Sequence, residues 1–260
     1  MPAPRNPFKH AIAKGELQLG CWLGLADPYI AEISAGAGFD WVLVDAEHAP
    51  NDLRSITAQL QVIAARKSHA AVRPPIGDTR IIKQFLDAGA QTLLIPMVES
   101  GAQAQELVDA VTYPPHGIRG VGAALARASD FSAIGDYLTT ARDEICLLVQ
   151  VENRKGMDAL DDILAIDGID GVFIGPADLA ADMGFIGQAG APEVKAAVLG
   201  AIEKIVASGK AAGILTLDTD MQLQCRDIGA TFIATEIDVT VFARNMRAAA
   251  KDASDRLRDG

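Results

Sequence analysis

Eight short apolar runs recur along the chain, separated by stretches in which apolar residues fall at helical spacing. The runs are "LGCWLGL" (19–25), "WVLVDA" (41–46), "AAVRP" (70–74), "TLLIPM" (92–97), "CLLVQVE" (146–152), "GVFIGP" (171–176), "AAGILTL" (211–217) and "TFIATEI" (231–237). Between them lie amphipathic segments such as "DLRSITAQLQVIAARK" (52–67) and "PEVKAAVLGAIEKIVASG" (192–209). Three joints, "SAGAGFDWVLV", "LDAGAQTLLI" and "RDIGATFIA", share one signature: a glycine ends a helix and a strand begins within a few residues. Eight strands alternating with helices predict a (β/α)8 TIM barrel. An open doubly wound sheet is the alternative, but no G-x-G-x-x-G follows any run. No linker, repeat or low-complexity segment divides the chain, so residues 1–260 read as a single domain. The irregular stretch is "TYPPHGIRGVGAALARASDFSAIG" (112–135), too long for a plain connection, which marks a functional loop or a subunit contact.

Half of the residues are hydrophobic, enough for a large core. The formal net charge is −11 and no lysine- or arginine-rich run occurs, which argues against nucleic acid and membrane surfaces as partners. Three cysteines, Cys21, Cys146 and Cys225, are scattered and show no metal-ligand spacing. Reduced thiols of a cytoplasmic protein are the simplest reading. The amino terminus, "MPAPRNPFKHAIAKGE", has no apolar signal core, and no apolar run approaches about 20 residues.

In a (β/α)8 barrel the chemistry sits at the carboxyl ends of the strands. There the second run delivers Asp45, Glu47 and His48, and the third Arg73 followed by two prolines. The fifth places Gln150 and Glu152 on one face with Val149 and Val151 on the other. The sixth leads into Gly175, Ala177 and Asp178. Neighbouring strands lie about 4.8 Å apart, so Glu152 and Asp178 would repel unless a proton or cation separates them. Two carboxylates without cysteine or a nearby histidine suit magnesium, manganese or cobalt better than structural zinc. The plainer alternatives are a helix cap for Asp178 and a surface ion pair for Glu152. Arg73 reads as a fixed cation for an oxyanion or as a structural ion pair; His48 reads as a base or as a cap. Arg119 and Arg127, the cations of the irregular loop, either reach over the barrel mouth or make subunit contacts.

The motifs "FDWVLVDAEHAPND", "AVRPP", "YPPHGIRGVG", "LVQVENRKGM" and "GIDGVFIGPADLAADMG" together resemble the class II pyruvate aldolases of the 4-hydroxy-2-oxoheptane-1,7-dioate aldolase family. The likeness runs from "NPFKHAI" to the last helix. It implies a (β/α)8 barrel whose carboxyl-terminal helix is exchanged between subunits, in a hexamer built as a trimer of dimers. It implies reversible aldol chemistry on a small keto acid and an aldehyde such as succinic semialdehyde, with a divalent cation as cofactor. The resemblance carries the metal ligands onto Glu152 and Asp178 and the catalytic histidine and arginine onto His48 and Arg73. Substrate contacts fall on Gln150, Gly175, Ala177, Asp178, Leu215 and Arg73. An aspartate acting on the histidine falls on Asp87, which a helix end places far from its own His48. A neighbouring subunit's site is then its destination, and Asp45 is the competing partner. The loop "GVGAALARASDF" looks like the heptanedioate branch rather than the sugar-acid branch. "IATEID" departs from the family by placing Glu236 near the mouth, either lining it or turned away. No lysine ends a strand, which disfavours a Schiff base. Other readings are a 2-dehydro-3-deoxy sugar-acid aldolase, an acyl-CoA lyase of the same superfamily, and a non-catalytic keto-acid-binding barrel.

Overall fold

All eight apolar runs form strands, and the strands are parallel, hydrogen-bonded in sequential order and closed on themselves. The computed structural model describes residues 1–258. The strands are β1 Gln18–Leu23, β2 Trp41–Asp45, β3 His69–Arg73, β4 Thr92–Ile95, β5 Cys146–Val151, β6 Gly171–Ile174, β7 Ala211–Leu215 and β8 Phe232–Ile237. The first run stops short of its apolar end for a local reason. The N–H groups of Gly24 and Leu25 are taken by the Asp238 carboxylate rather than by a neighbouring strand.

Period-two alternation builds two cores from one sheet. Outward residues such as Val42, Val44, Val72, Leu93, Val149, Val151, Val172 and Ile214 pack under the helices. Inward residues Trp22, Trp41, Leu43, Ala71, Leu94, Leu148, Phe173, Phe232 and Ala234 fill the barrel. The short helix Pro7–Ala13 closes its amino-terminal end. Its Phe8 ring lies 5.5 Å from Trp41 and 5.9 Å from Phe232. The barrel is therefore plugged below, and only its carboxyl end can admit a ligand.

Several helices that leave that end are capped by an aspartate or serine side chain. Asp27, Asp52, Asp78 and Asp218 each accept first-turn N–H groups, as does Ser100; such caps are worth about 1 kcal/mol apiece. No helix among the described residues is long and apolar enough to cross a membrane. The last helix, Asp238–Arg258, buries only Asp238 and leaves Val239, Phe242 and Met246 exposed.

The irregular loop does not reach over the mouth of its own barrel. It follows the helix Gly101–Val111, which returns from the carboxyl end, so the loop starts at the amino-terminal end. There Arg119 is fully buried, its guanidinium 4.4 Å over the Tyr113 ring and its Nη2 donating to Asp87 Oδ1 at 2.8 Å. Arg127 Nη1 donates to the Ala88 carbonyl at 3.2 Å. Both cations are anchored to the end of the helix Thr79–Asp87, because that helix end supplies a carboxylate and unpaired carbonyls.

Candidate active site

The inward alternation continues one layer above the apolar filling, and there it turns polar. Asp45 follows Trp41 and Leu43 on β2, Arg73 follows Ala71 on β3, and Gln150 follows Leu148 on β5. The β2–β3 register sets Asp45 opposite Arg73. Arg73 accordingly donates from Nε to Asp45 Oδ1 at 2.8 Å and from Nη2 to Oδ2 at 2.7 Å. Trp22 lies under the guanidinium, 5.0 Å from Cζ to ring centroid. The remaining nitrogen faces the axis: Nη1 lies 2.8 Å from Glu47 Oε2 and 3.5 Å from Gln150 Oε1. Arg73 is thus the ion-pair partner of two carboxylates, Asp45 beside it and Glu47 on the axis side. Asp45 is committed to Arg73 and not to His48, and the Arg73 charge and hydrogen bonds outweigh burial to hold its carboxyl below the ordinary range.

Glu152 is 2 % exposed, which rules out the surface ion pair. It accepts from the Met97 N–H at 2.9 Å and from Gln150 Nε2. Met97 has φ +55°, a strained conformation at the end of β4 that aims this N–H inward. Burial pushes the Glu152 carboxyl up to about 7, and the charges of Glu47 and Asp178 add to the effect. Gly175 is required beside it, since a Cβ there would lie 2.6 Å from Glu152 Oε2 and 2.9 Å from Gln150 Nε2. Asp178 lies not in a loop but in the first turn of the helix Pro176–Asp182, exposed, and that helix has no side-chain cap. Ala177 is exposed beside it. His48 stands in the bend after β2 with 68 % of its side chain exposed, its Nε2 3.9 Å from Glu47 Oε2.

Leu215 ends β7 against the inward cluster, half-buried at the mouth. Glu236 turns away. A bulge between β1 and β8 pairs Cys21 with Glu236 and Trp22 with Ile237. Ile237 therefore joins the inward cluster, and Glu236 shares the outer side with Cys21, whose thiol its charge helps to raise. Asp87 is not brought to His48; it sits with Arg119 at the opposite end. Two clefts of about 520 and 610 Å³ also lie there, lined by Arg66, Lys67 and His69, and hold none of the mouth residues.

The mouth residues suit a hard divalent cation. Two oxygen donors, Glu152 and Asp178, feel each other's charge, and a cation between them relieves both repulsion and burial. Among the described residues no three His, Cys, Asp or Glu side chains form a complete ligand set. Water and substrate oxygens would supply the remaining positions. In metal-free protein the raised Glu152 carboxyl ties stability to pH. The folded carboxyl holds its proton more tightly than the ordinary value of 4.5. Its contribution is complete below about 4.5 and is lost as pH rises through about 7. Thermal melts of chelated protein should show the parent gaining more than Glu152→Gln between pH 8 and pH 5.5; parallel curves would reject the assignment.

The closed parallel barrel carries a buried carboxylate, an amide and an arginine around its carboxyl-end mouth, where enzymes of this fold hold their active sites. The sequence profile of the HpcH/HpaI aldolase/citrate lyase family matches residues 18–245, and the chain belongs to that family. A hydroxypyruvate/pyruvate aldolase of Roseovarius nubinhibens is 60 % identical over 247 residues, covering 95 % of this chain and 96 % of that one. A 4-hydroxy-2-oxo-heptane-1,7-dioate aldolase of Salmonella dublin is 54 % identical, covering 95 % and 94 %. The crystal structure of an HpcH/HpaI aldolase/citrate lyase family protein from Burkholderia cenocepacia J2315 superposes with TM-score 0.91 at 37 % identity, covering 95 % and 99 %. The protein is a carbon–carbon lyase, an aldolase.

The motifs pointed to Arg73, Gln150, Glu152 and Gly175 as members of the mouth, and all four meet there. Asp45 as the partner of Arg73 was missed, although alternation from Trp41 and Leu43 already put it inward. Glu47 received no role. The Met97 N–H had no sequence signal, because a backbone donor belongs to any residue.

Proposed function

We propose that the protein catalyses reversible aldol cleavage of 4-hydroxy-2-oxo acids to pyruvate and an aldehyde, with hydroxypyruvate as a second nucleophile in condensation. The observation that carries this reading is the Arg73 guanidinium, whose Nη1 faces the barrel axis between Glu47 and Gln150, beside the buried Glu152 carboxylate. It offers one place for a negatively charged oxygen next to one place for a cation. The names of the relatives supply pyruvate and hydroxypyruvate, and no lysine is buried among the described residues.

Glu152 and Asp178 would hold the cation, with magnesium, manganese or cobalt suiting their oxygens. A divalent cation held there would polarise the keto group and acidify the carbon beside it. Gln150, Gly175 and Ala177 border the keto acid, and Leu215 borders the aldehyde side. Arg73 stabilises the enolate oxygen. His48 is the base that finally takes up the 4-hydroxyl proton in cleavage, directly or through an intervening group. Asp87 serves the His48 of a neighbouring subunit in a hexamer whose last helix is exchanged. The unpartnered Val239, Phe242 and Met246 support that exchange, and exposed Ile118, Val121, Leu125 and Phe131 support a subunit contact by the irregular loop. Three unpaired, buried cysteines support a reducing, cytoplasmic setting.

Incubation of the purified protein with 4-hydroxy-2-oxoheptanedioate and a divalent cation should release pyruvate and succinic semialdehyde in equal amounts. Cleavage of an acyl-CoA thioester, with no pyruvate from any 4-hydroxy-2-oxo acid, would overturn the proposal.

A further inference from the structure

One carboxylate oxygen in the mouth is buried and accepts no hydrogen bond: Glu47 Oε2. It nevertheless sits 2.8 Å from Arg73 Nη1 on one side and 3.9 Å from His48 Nε2 on the other. Its backbone is held in place for this. The Glu47 N–H donates to Asp45 Oδ1 at 3.0 Å, and Asn51 Nδ2 donates to the Asp45 carbonyl at 2.7 Å. Arg73, Glu47 and His48 form a line from the barrel interior to solvent, with exposure rising from 7 % through 17 % to 68 %. A buried carboxylate oxygen that has a charge partner but accepts no hydrogen bond calls for an explanation.

We propose that Glu47 is a catalytic residue of the cleavage, the group that carries the proton between the substrate's 4-oxygen and His48. The proposal rests on the aldolase reading above. An oxygen held at Arg73 Nη1 is a neighbour of Glu47 Oε2, whereas most of the imidazole lies in solvent. In cleavage the 4-hydroxyl proton passes to the Glu47 carboxylate and on to His48. The C3–C4 bond breaks, its electron pair becomes the enolate, and the C4–O bond becomes the carbonyl of the aldehyde. A proton returns by the same route to C3 and completes the methyl group of pyruvate, so no proton is consumed overall. Charged groups facing Glu47 are Asp45 and His48 from its own segment, Arg73 from β3, Glu152 after β5 and Asp178 from the helix after β6. Burial outweighs the two cations and leaves the carboxyl above its ordinary range, which favours proton uptake.

The competing role is purely structural, in which Glu47 only balances the charge of Arg73. The variant Glu47→Gln keeps the shape and an acceptor for Arg73 but cannot carry a proton. In the full-length, manganese-loaded protein its kcat should fall about 100- to 10,000-fold. Calorimetric affinity for pyruvate should stay within about threefold of the parent. Glu47→Asp, which keeps a carboxylate one methylene further back, should be at least about tenfold faster than Glu47→Gln, and it also serves if the glutamine variant does not fold. Turnover of Glu47→Gln within about tenfold of the parent overturns the proposal, as does a loss of pyruvate affinity matching the loss of turnover. So does equal inactivity of the two variants. A parent protein that releases no pyruvate from 4-hydroxy-2-oxo acids fails the aldolase reading itself, which is read before any variant is compared.

Discussion

Arg73→Ala should lower turnover on a 4-hydroxy-2-oxo acid by about 100- to 1,000-fold, the usual cost of one preorganised oxyanion partner. The expectation follows from how the guanidinium is held. Two of its nitrogens are spent on Asp45 and one edge faces Gln150 and Glu47, so the charge offered to substrate needs no reorganisation. The same geometry makes the variant less stable. Asp45 is 3 % exposed and loses both of its side-chain partners from Arg73; an uncompensated buried charge of this kind costs about 3–5 kcal/mol. Melting curves must therefore accompany the kinetics, with assays run well below the transition. Arg73→Lys separates the two effects, since one ammonium can neutralise Asp45 but cannot reproduce the fork and the axis-facing Nη1 together. It should fold better than the alanine variant and remain far below the parent in kcat. A folded Arg73→Ala protein with near-parent turnover would remove Arg73 from the mechanism.

Exhaustive chelation should abolish turnover, and magnesium, manganese or cobalt should restore it. Glu152 and Asp178 are the oxygen donors available, and the first is buried with its carboxyl pushed up to about 7. Affinity at such a site rises along the first row, so cobalt should act at lower concentration than manganese. Because protons compete for Glu152, the metal should also leave more readily as pH falls. Asp178→Asn is the cleaner variant. Asp178 is exposed in a first turn and no side chain caps that helix, so metal affinity should drop while the melting temperature of the chelated protein stays near the parent's. Full activity in chelated protein would overturn the metal assignment and the class II reading with it.

Much of this architecture is legible one segment at a time. Gln150 and Glu152 share a face because side-chain direction alternates along any strand, and Val149 and Val151 duly lie in the outer core. Glycine joints announced helix ends, with Gly38, Gly89 and Gly229 at φ +109°, +104° and +116°. The motifs carried the family. By contrast, the cations of the irregular loop read equally well as mouth residues, and only the path of the preceding helix sends Arg119 to Asp87.

Sequence by itself determined the strand count, the inward and outward faces, and the residue types that reach the carboxyl end, because these follow from local backbone geometry and burial period. Tertiary structure decided the partners. Asp45 meets Arg73 through the β2–β3 register, Glu236 leaves the axis through a one-residue bulge, and Glu152 is completed by a Met97 N–H from the segment that follows the neighbouring β4. Each depends on where another strand lies along the barrel, and the relative shift of two strands is set by closure of the whole sheet.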